Sequence, residues 1–178
     1  ALLQLVEKIS VSIDKRKTTI GVFIDLAKAF DTVDHQILLK KLEFYGIRGI
    51  SLDLFKNYLS LRKQYVEVDK APSSTSYVKC GVPQGSILGP ILFLIYINDL
   101  NYVSAKLENI MFADDTNLFL TGNSICEVES IINEELVIIT EWFQSNKLSL
   151  NIKKTSYMIF GNKQNVSANL MIDRKSVV

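Results

Sequence analysis

Two adjacent carboxylates, Asp114 and Asp115, interrupt the run Ile110-Met111-Phe112-Ala113-Asp114-Asp115-Thr116-Asn117-Leu118-Phe119-Leu120. An apolar stretch that breaks at a polar doublet and then resumes predicts a β-hairpin with both acids at its tip. Adjacent acids repel each other, and packing gives no reason to pair them. A divalent cation turns that repulsion into attraction. A third acid has a similar setting upstream, where the run Ile20-Gly21-Val22-Phe23-Ile24 ends at Asp25. Three carboxylates delivered by two strand ends make an oxygen-rich site suited to Mg²⁺ and phosphoryl transfer. Spacing alone leaves each acid a second reading, as a turn or cap residue.

The rest of the composition narrows the class. A chain of 178 residues suits one domain or a little more and can bury roughly 70% of its unfolded surface. Apolar residues make up 48% and charged residues 22%, which predicts a globular fold and excludes disorder. The net charge is +1, so the totals carry no electrostatic footprint for nucleic acid, although basic residues can still gather on one face. The short basic runs Lys15-Arg16-Lys17, Lys40-Lys41, Arg62-Lys63, Lys153-Lys154 and Arg174-Lys175 read as solvated surface. Cys80, Cys126 and the single His35 are too few for a zinc site. Both cysteines are expected to be reduced, buried fillers, and His35 to be structural at a helix start. The longest apolar run, Ile87 to Ile97, contains Gly89 and Pro90 and is too short to cross a bilayer.

Periodicity places the elements. Residues 2–14 carry helical spacing, and Thr18 to Asp25 reads as a strand buried on both sides. Asp34 caps a helix that Gly46 stops, and Ser51 opens another. Gln64 to Val68 and Tyr77 to Cys80 read as short strands joined by the polar stretch Pro72 to Ser76. A turn-rich loop, Gly81 to Ser86, feeds a helix from about Ile87 to Leu100. Ser124 and Glu127 form a capping box before a long amphipathic helix. Tyr157 to Phe160 reads as a last strand, with a further strand suggested at Asn169 to Ile172. Interspersed strands and helices with a hairpin make the class α+β.

Four blocks, in order, resemble the palm motifs of reverse transcriptases, and within them those of non-LTR (LINE-like) retrotransposons. The first runs from Phe23 through Asp25-Leu26-Ala27-Lys28-Ala29-Phe30-Asp31 to His35. The second is Gly81-Val82-Pro83-Gln84-Gly85-Ser86-Ile87-Leu88-Gly89-Pro90, continuing to Leu100. The third is Phe112-Ala113-Asp114-Asp115, whose phenylalanine favours the non-LTR branch. The fourth is Lys147-Leu148-Ser149-Leu150-Asn151 with Lys154-Thr155 behind it. The resemblance implies a polymerase palm, an antiparallel sheet with helices packed on one face and a ferredoxin or RRM-like core. It covers roughly residues 20–160.

The same resemblance assigns roles. Asp25, Asp114 and Asp115, with the backbone carbonyl of Leu26, would hold two Mg²⁺ ions, for which Mn²⁺ could substitute. Phe30 would lie under the incoming sugar and exclude a 2′-hydroxyl, the group that separates the two nucleotide types. Gln84 and Gly85 would hold the incoming nucleotide and the template base. Lys154 would protonate pyrophosphate, with Lys153 as competitor. Each has an ordinary reading as well: a core phenylalanine, a strand-to-helix turn, a solvated lysine. Tyr96, Asn98 and Asp99 are expected to support the second block.

The activity so implied is RNA-directed DNA polymerisation, moving a nucleotidyl group from a dNTP to a primer 3′-OH. Its partners would be an RNA template, a DNA primer, dNTPs and the rest of a polyprotein, with no membrane. The family implies an intracellular, ribonucleoprotein setting in nucleus and cytoplasm. The chain as a whole is expected to be a palm fragment, with fingers largely absent, no thumb and no endonuclease. Two other readings stay open: a catalytically inactive remnant that binds RNA or protein, and another two-metal enzyme such as a nucleotide cyclase, against which the Gly81–Ser86 block argues.

Overall fold

A computed structural model describes residues 2–161, 167–173 and 175–177. In chain order the elements begin with α1 (Leu2–Asp14), β1 (Thr18–Ile24), α2 (His35–Phe44) and α3 (Ile50–Leu59). Four short strands follow, β2 (Lys63–Gln64), β3 (Glu67–Val68), β4 (Ala71–Pro72) and β5 (Ser76–Tyr77), and then α4 (Leu88–Ile97). The remainder is β6 (Glu108–Phe112), β7 (Asp115–Gly122), α5 (Ile125–Ser145), β8 (Ser156–Phe160), β9 (Met171–Ile172) and β10 (Lys175–Ser176). The chain divides into two compact units, residues 1–27 with 100–178, and residues 28–99.

The first unit is built on one antiparallel sheet in the order β6-β7-β1-β8. β1 is interior and pairs on both edges, Val22 with Leu118 on one side and with Tyr157 on the other. Its unbroken apolar run explains that place, because a strand paired on both edges and covered on both faces has no solvent side to mark with polar residues. Ile20, Val22 and Ile24 are at most 2% exposed. Each such burial is worth about 1.5–3 kcal/mol.

The face that carries Ile20, Leu120 and Gly122 is covered by α5. A Cβ added at Gly122 would stand 2.6 Å from the Val128 side chain. Val128, Ile132, Leu136, Ile139 and Phe143 are buried at helical spacing along α5. The expected cap is present: the Glu127 amide donates to Ser124 Oγ at 3.2 Å. The Glu127 carboxylate accepts from the Asn123 amide, one residue before the reciprocal partner of a standard capping box. Helices on one face holds for α5, and α1 adds a contact on the opposite face. There the hydroxyls of Ser12, Thr19 and Thr121 form a chain with two 2.8 Å links. β9 and β10 form a small separate hairpin, so the suggested terminal strand is confirmed at Met171–Ile172.

The second unit follows from its punctuation. The Asp34 side chain accepts from the Gln36 and Ile37 amides and starts α2. Leu38 and Leu42 of α2, Leu59 of α3 and Leu92, Phe93, Tyr96 and Ile97 of α4 are buried. The Tyr96 hydroxyl accepts from the Asp34 amide at 3.4 Å. Lys41 donates to the Tyr96 carbonyl at 2.5 Å and to Asp99 Oδ1 at 2.6 Å. Burial lowers the Lys41 pKa, with Asp99 opposing, and pushes the Tyr96 phenol up to about 12. Asn98 donates to the Tyr45 hydroxyl at 3.0 Å. Tyr96, Asn98 and Asp99 thus hold the helix behind the second block.

Two expectations are corrected. Residues 62–79 form one long hairpin ribbon that turns at Asp69-Lys70, not two strands joined through Pro72 to Ser76. The pairs are Lys63 with Tyr77, Gln64 with Ser76, Glu67 with Pro72 and Val68 with Ala71. Asp69 and Lys70 both have positive φ, 50° and 64°, as a tight two-residue hairpin turn requires. The cysteines are exposed rather than buried fillers. Cys80 lies where the ribbon ends, and Cys126 lies in the first turn of α5, two residues before the buried Val128. Among the described residues, no helix is long and apolar enough to cross a membrane.

One ion pair in the first unit has a pH signature. Glu135 on α5 is 4% exposed and meets Lys106 at 2.9 Å. Hydrogen bonds from Lys106 and Ser104 hold its carboxyl below the ordinary range, against a smaller opposing effect of burial. A depressed carboxyl stabilises the fold above its unfolded pKa of about 4.3, and that contribution is lost as pH falls through the lower folded value. Lys106→Met returns the carboxyl toward its unfolded value. Urea denaturation from pH 6 to pH 3 is expected to show a shallower acid loss in this variant than in the wild type.

Candidate active site

Asp25 follows the last residue of β1, and two hydrogen bonds within the first unit fix its backbone. Its amide donates to Thr155 Oγ1 at 3.3 Å, and its carbonyl accepts from the Asn151 amide at 2.8 Å. The Ala27 amide donates to the Ser149 carbonyl at 2.8 Å, and Leu26 faces Leu150 in an antiparallel bridge. Thr155 is 2% exposed and also donates to the Asn151 carbonyl at 3.0 Å. The fourth block therefore acts as the clamp that holds the first.

The hairpin partly follows its expectation. Phe112 pairs with Asp115, so the turn consists of Ala113 and Asp114, and Asp115 is already the first residue of β7. One acid is at the tip rather than both. Ala113 takes a left-handed φ of 55°, which costs a non-glycine residue about 1–2 kcal/mol. The register of β1 on β7 ends with Ile24 opposite Thr116. The pairing stops there, so Asp25 and Asp115 each adjoin the last pair between β1 and β7. Asp25 and Asp114 are half-buried and Asp115 is exposed.

Leu26 completes the donor set through its backbone. In the bridge with Leu150, the hydrogen bonds belong to the flanking residues, Ala27 to Ser149 and Asn151 to Asp25. The Leu26 carbonyl of such a pair points away from the Leu150 side. No hydrogen bond among the described residues occupies it. Carboxylates and an unclaimed carbonyl are hard oxygen donors, and that chemistry fits a divalent cation. Among the described residues, no group of three or more His, Cys, Asp and Glu side chains is gathered for a metal ion. The three acids lie at the ends of paired strands rather than in a closed cluster. Lys154 and Lys153 are both exposed, in the turn before β8.

The second unit carries the other predicted residues. Phe30 sits in a 3₁₀ turn, Ala29–Asp31, half-buried with its ring 4.7 Å from that of Phe93. Gln84 is exposed and donates to Asp31 Oδ1 at 2.8 Å. Gly85 is exposed with φ +77°. The loop is tied to the end of the first block at several points. Val82 donates to the Phe30 carbonyl at 2.8 Å and Gly81 to the Val33 carbonyl at 2.7 Å. His35 Nε2 meets the Gly81 carbonyl at 2.8 Å, which gives the single histidine its structural role. Asp31 and Thr155 were not singled out by the sequence reading. Both lie inside the blocks quoted above, but the contacts with Gln84 and Asp25 that give them their roles span more than fifty residues.

A family model described as reverse transcriptase (RNA-dependent DNA polymerase) matches residues 3–172. The chain belongs to the reverse transcriptase family. The RNA-directed DNA polymerase from mobile element jockey of Drosophila melanogaster is 29% identical over 159 residues, 85% of this chain and 17% of the relative. The probable RNA-directed DNA polymerase from transposon X-element of the same fly is 29% identical over 182 residues, 99% of this chain and 20% of the relative. This reverse transcriptase chain thus spans about one fifth of the length of such relatives, and its kinship with non-LTR retrotransposon polymerases holds. Telomerase from Candida albicans, in complex with a fragment of telomeric RNA, matches in fold. The TM-score is 0.63 at 14% identity, over 96% of this chain and 32% of that one. The α+β palm architecture agrees with that likeness.

Glycine at position 81 is required twice over. Its φ is +86°, and an added Cβ would stand 2.7 Å from the Asp31 carbonyl oxygen, a backbone atom that cannot swing aside. Gly46 has φ +93° with nothing within 4 Å. Gly81→Ala is expected to cost roughly 2–4 kcal/mol in urea denaturation, from strain plus overlap. Gly46→Ala is expected to cost about 1 kcal/mol, from strain alone.

Proposed function

We propose that this chain is the catalytic palm of an RNA-directed DNA polymerase of a non-LTR retrotransposon, extending a primer 3′-OH with dNTPs. The observation that carries this reading is the register of β1 on β7, which pairs Ile24, the residue before Asp25, with Thr116, the residue after Asp115. Asp25, Asp115, the adjacent Asp114 and the Leu26 carbonyl would supply the oxygen ligands for divalent ions, Mg²⁺ by preference. Such ions lower the pKa of an attacking hydroxyl and offset the charge on departing pyrophosphate. The protein's share of the work is positioning and electrostatics rather than covalent chemistry. The double anchoring of the Asp25 backbone serves that positioning. Lys154 is assigned to donate a proton to the leaving group. In the second unit, Phe30 is assigned to the incoming sugar, and Gln84 with Gly85 to the nucleotide and template base. The Asp31 hydrogen bond limits the freedom of the Gln84 amide. RNA template, DNA primer and the remainder of a larger polyprotein are the partners this reading requires, in an intracellular ribonucleoprotein.

A second reading, a catalytically silent module that binds RNA or protein, has one observation on its side. The three acidic side chains are not gathered into a metal-holding group. Calorimetric titration with MnCl₂ separates the two. The wild-type chain is expected to bind Mn²⁺, and Asp25→Asn or Asp115→Asn to weaken binding about tenfold or more, because affinity follows ligand charge. Binding that is unchanged in both variants rejects the metal assignment. In a longer protein carrying this domain, Asp114→Asn is expected to abolish primer extension while the thermal unfolding midpoint stays put.

A further inference from the structure

Helix α5 carries five glutamates, Glu127, Glu129, Glu134, Glu135 and Glu141, and no lysine, arginine or histidine. In a chain with a net charge of +1 this is a local excess of negative charge. Four of the five have partners inside the first unit. Glu127 accepts from the Asn123 amide and Glu129 from the Asn169 amide. Lys106 stands 3.8 Å from Glu134 and 2.9 Å from Glu135. Among the described residues, no ion pair engages Glu141. Glu141 lines a cavity of roughly 450 Å³ between α5 and β9, together with Leu136, Val137, Thr140, Met171 and Asp173. Two hydrogen-bonded clasps tie the β9–β10 hairpin to α5, one before Val137 along the helix and one after Glu141. Asn133 donates to the Asn169 carbonyl and accepts from the Met171 amide. Gln144 donates to Asp173 Oδ1 at 3.4 Å. The Thr140 hydroxyl donates to the Leu136 carbonyl. What is left to an occupant is apolar surface and negative charge. Val137 is 57% and Met171 42% exposed. The carboxylates of Glu141 and Asp173 line the same cavity, with no cation among its lining residues.

Such a surface repels the phosphates of nucleic acid and of anionic lipid. It also disfavours a second copy of the chain seated on the same face, because two-fold symmetry sets like carboxylates against each other. A helix with an apolar stripe flanked by lysine or arginine complements both of its features. We propose that the groove between α5 and the β9–β10 hairpin docks a basic amphipathic helix of a separate protein. Its apolar side chains would lie on Val137 and Met171, and its lysine or arginine side chains would meet Glu141 and Asp173. This docking depends neither on the metal site nor on polymerase chemistry.

The test is fluorescence anisotropy of labelled helical peptides with the 178-residue chain at several salt concentrations. One peptide has a leucine stripe with lysine elsewhere, a second replaces every lysine by glutamate, and a third replaces every leucine by glutamine. The leucine–lysine peptide is expected to bind, and each of the others to bind about tenfold more weakly or worse. Glu141→Gln/Asp173→Asn is expected to weaken that binding about tenfold at low salt and to flatten its salt dependence. Val137→Ser is expected to weaken it about fivefold and to leave the salt dependence as it is. Glu7→Gln, on α1, changes neither. All four positions are exposed, so the fold is expected to survive, which thermal unfolding checks. Undiminished binding in the double variant overturns the proposal, as does an equal loss in Glu7→Gln. Equal binding of the leucine–glutamate peptide, or no binding of the leucine–lysine peptide by the wild type, also overturns it. Dimerisation in sedimentation velocity that Val137→Ser abolishes overturns it too and gives the groove to a second copy. Oligo(A) RNA binding that Val137→Ser weakens would give the groove to nucleic acid instead.

Discussion

The first unit depends on the pairing of β1 along both of its edges. An interior strand cannot slip by one residue without turning Ile20, Val22 and Ile24 away from α5. The same register that keeps those side chains in the core decides where the strand delivers the residue after Ile24. Asp25 is therefore placed by the burial of its predecessors. The hydrogen bonds from Asn151 and to Thr155 then fix the backbone on the side away from β7. Apolar burial sets the position, and polar contacts set the detail.

In the second unit, backbone closeness has a corresponding role. The loop that contains Gln84 and the turn that contains Phe30 are joined by main-chain hydrogen bonds at Val82 and Gly81, by His35 and by the Asp31 side chain. Gly81 is what allows the two segments to approach. Behind them, α4 is held to α2 by Lys41, whose ammonium spans the Tyr96 carbonyl and Asp99 while resting 4.9 Å from the Tyr96 ring centroid. Burial lowers the pKa of this ammonium and Asp99 opposes that shift.

Legibility in the sequence tracked the strength of local signals. α1, β1, α2 and α5 were readable because apolar spacing and capping residues act over a few positions. The Asp34 cap and the Ser124 cap are such cases. The ribbon differs from its expectation because its turn is made by Asp69-Lys70, which lacks the glycine of the usual tight hairpin pair, while the Pro and Ser residues that look like a connector lie in the returning half of the ribbon. The cysteines were misread because small apolar residues are usually buried, and neither position here faces a core. Asp115 was assigned to the hairpin tip because two adjacent acids cannot be told apart by pattern. Strand pairing gave one of them to the turn and the other to β7.

The blocks around Asp25, Gln84, Asp114-Asp115 and Lys154 were written in the chain, and with them the family, since residue order and chemistry survive without coordinates. Alternation and continuity of apolar residues likewise determined that Asp25 ends a buried strand. The sequence by itself could not say that Ile24 pairs with Thr116, that Leu26 bridges to Leu150, or that Lys28, Arg62 and Lys79 line one cleft. These are contacts across tens of residues, decided by which strands pair and in which register. Such choices are made by the burial of the whole core, and no local run of side chains encodes them.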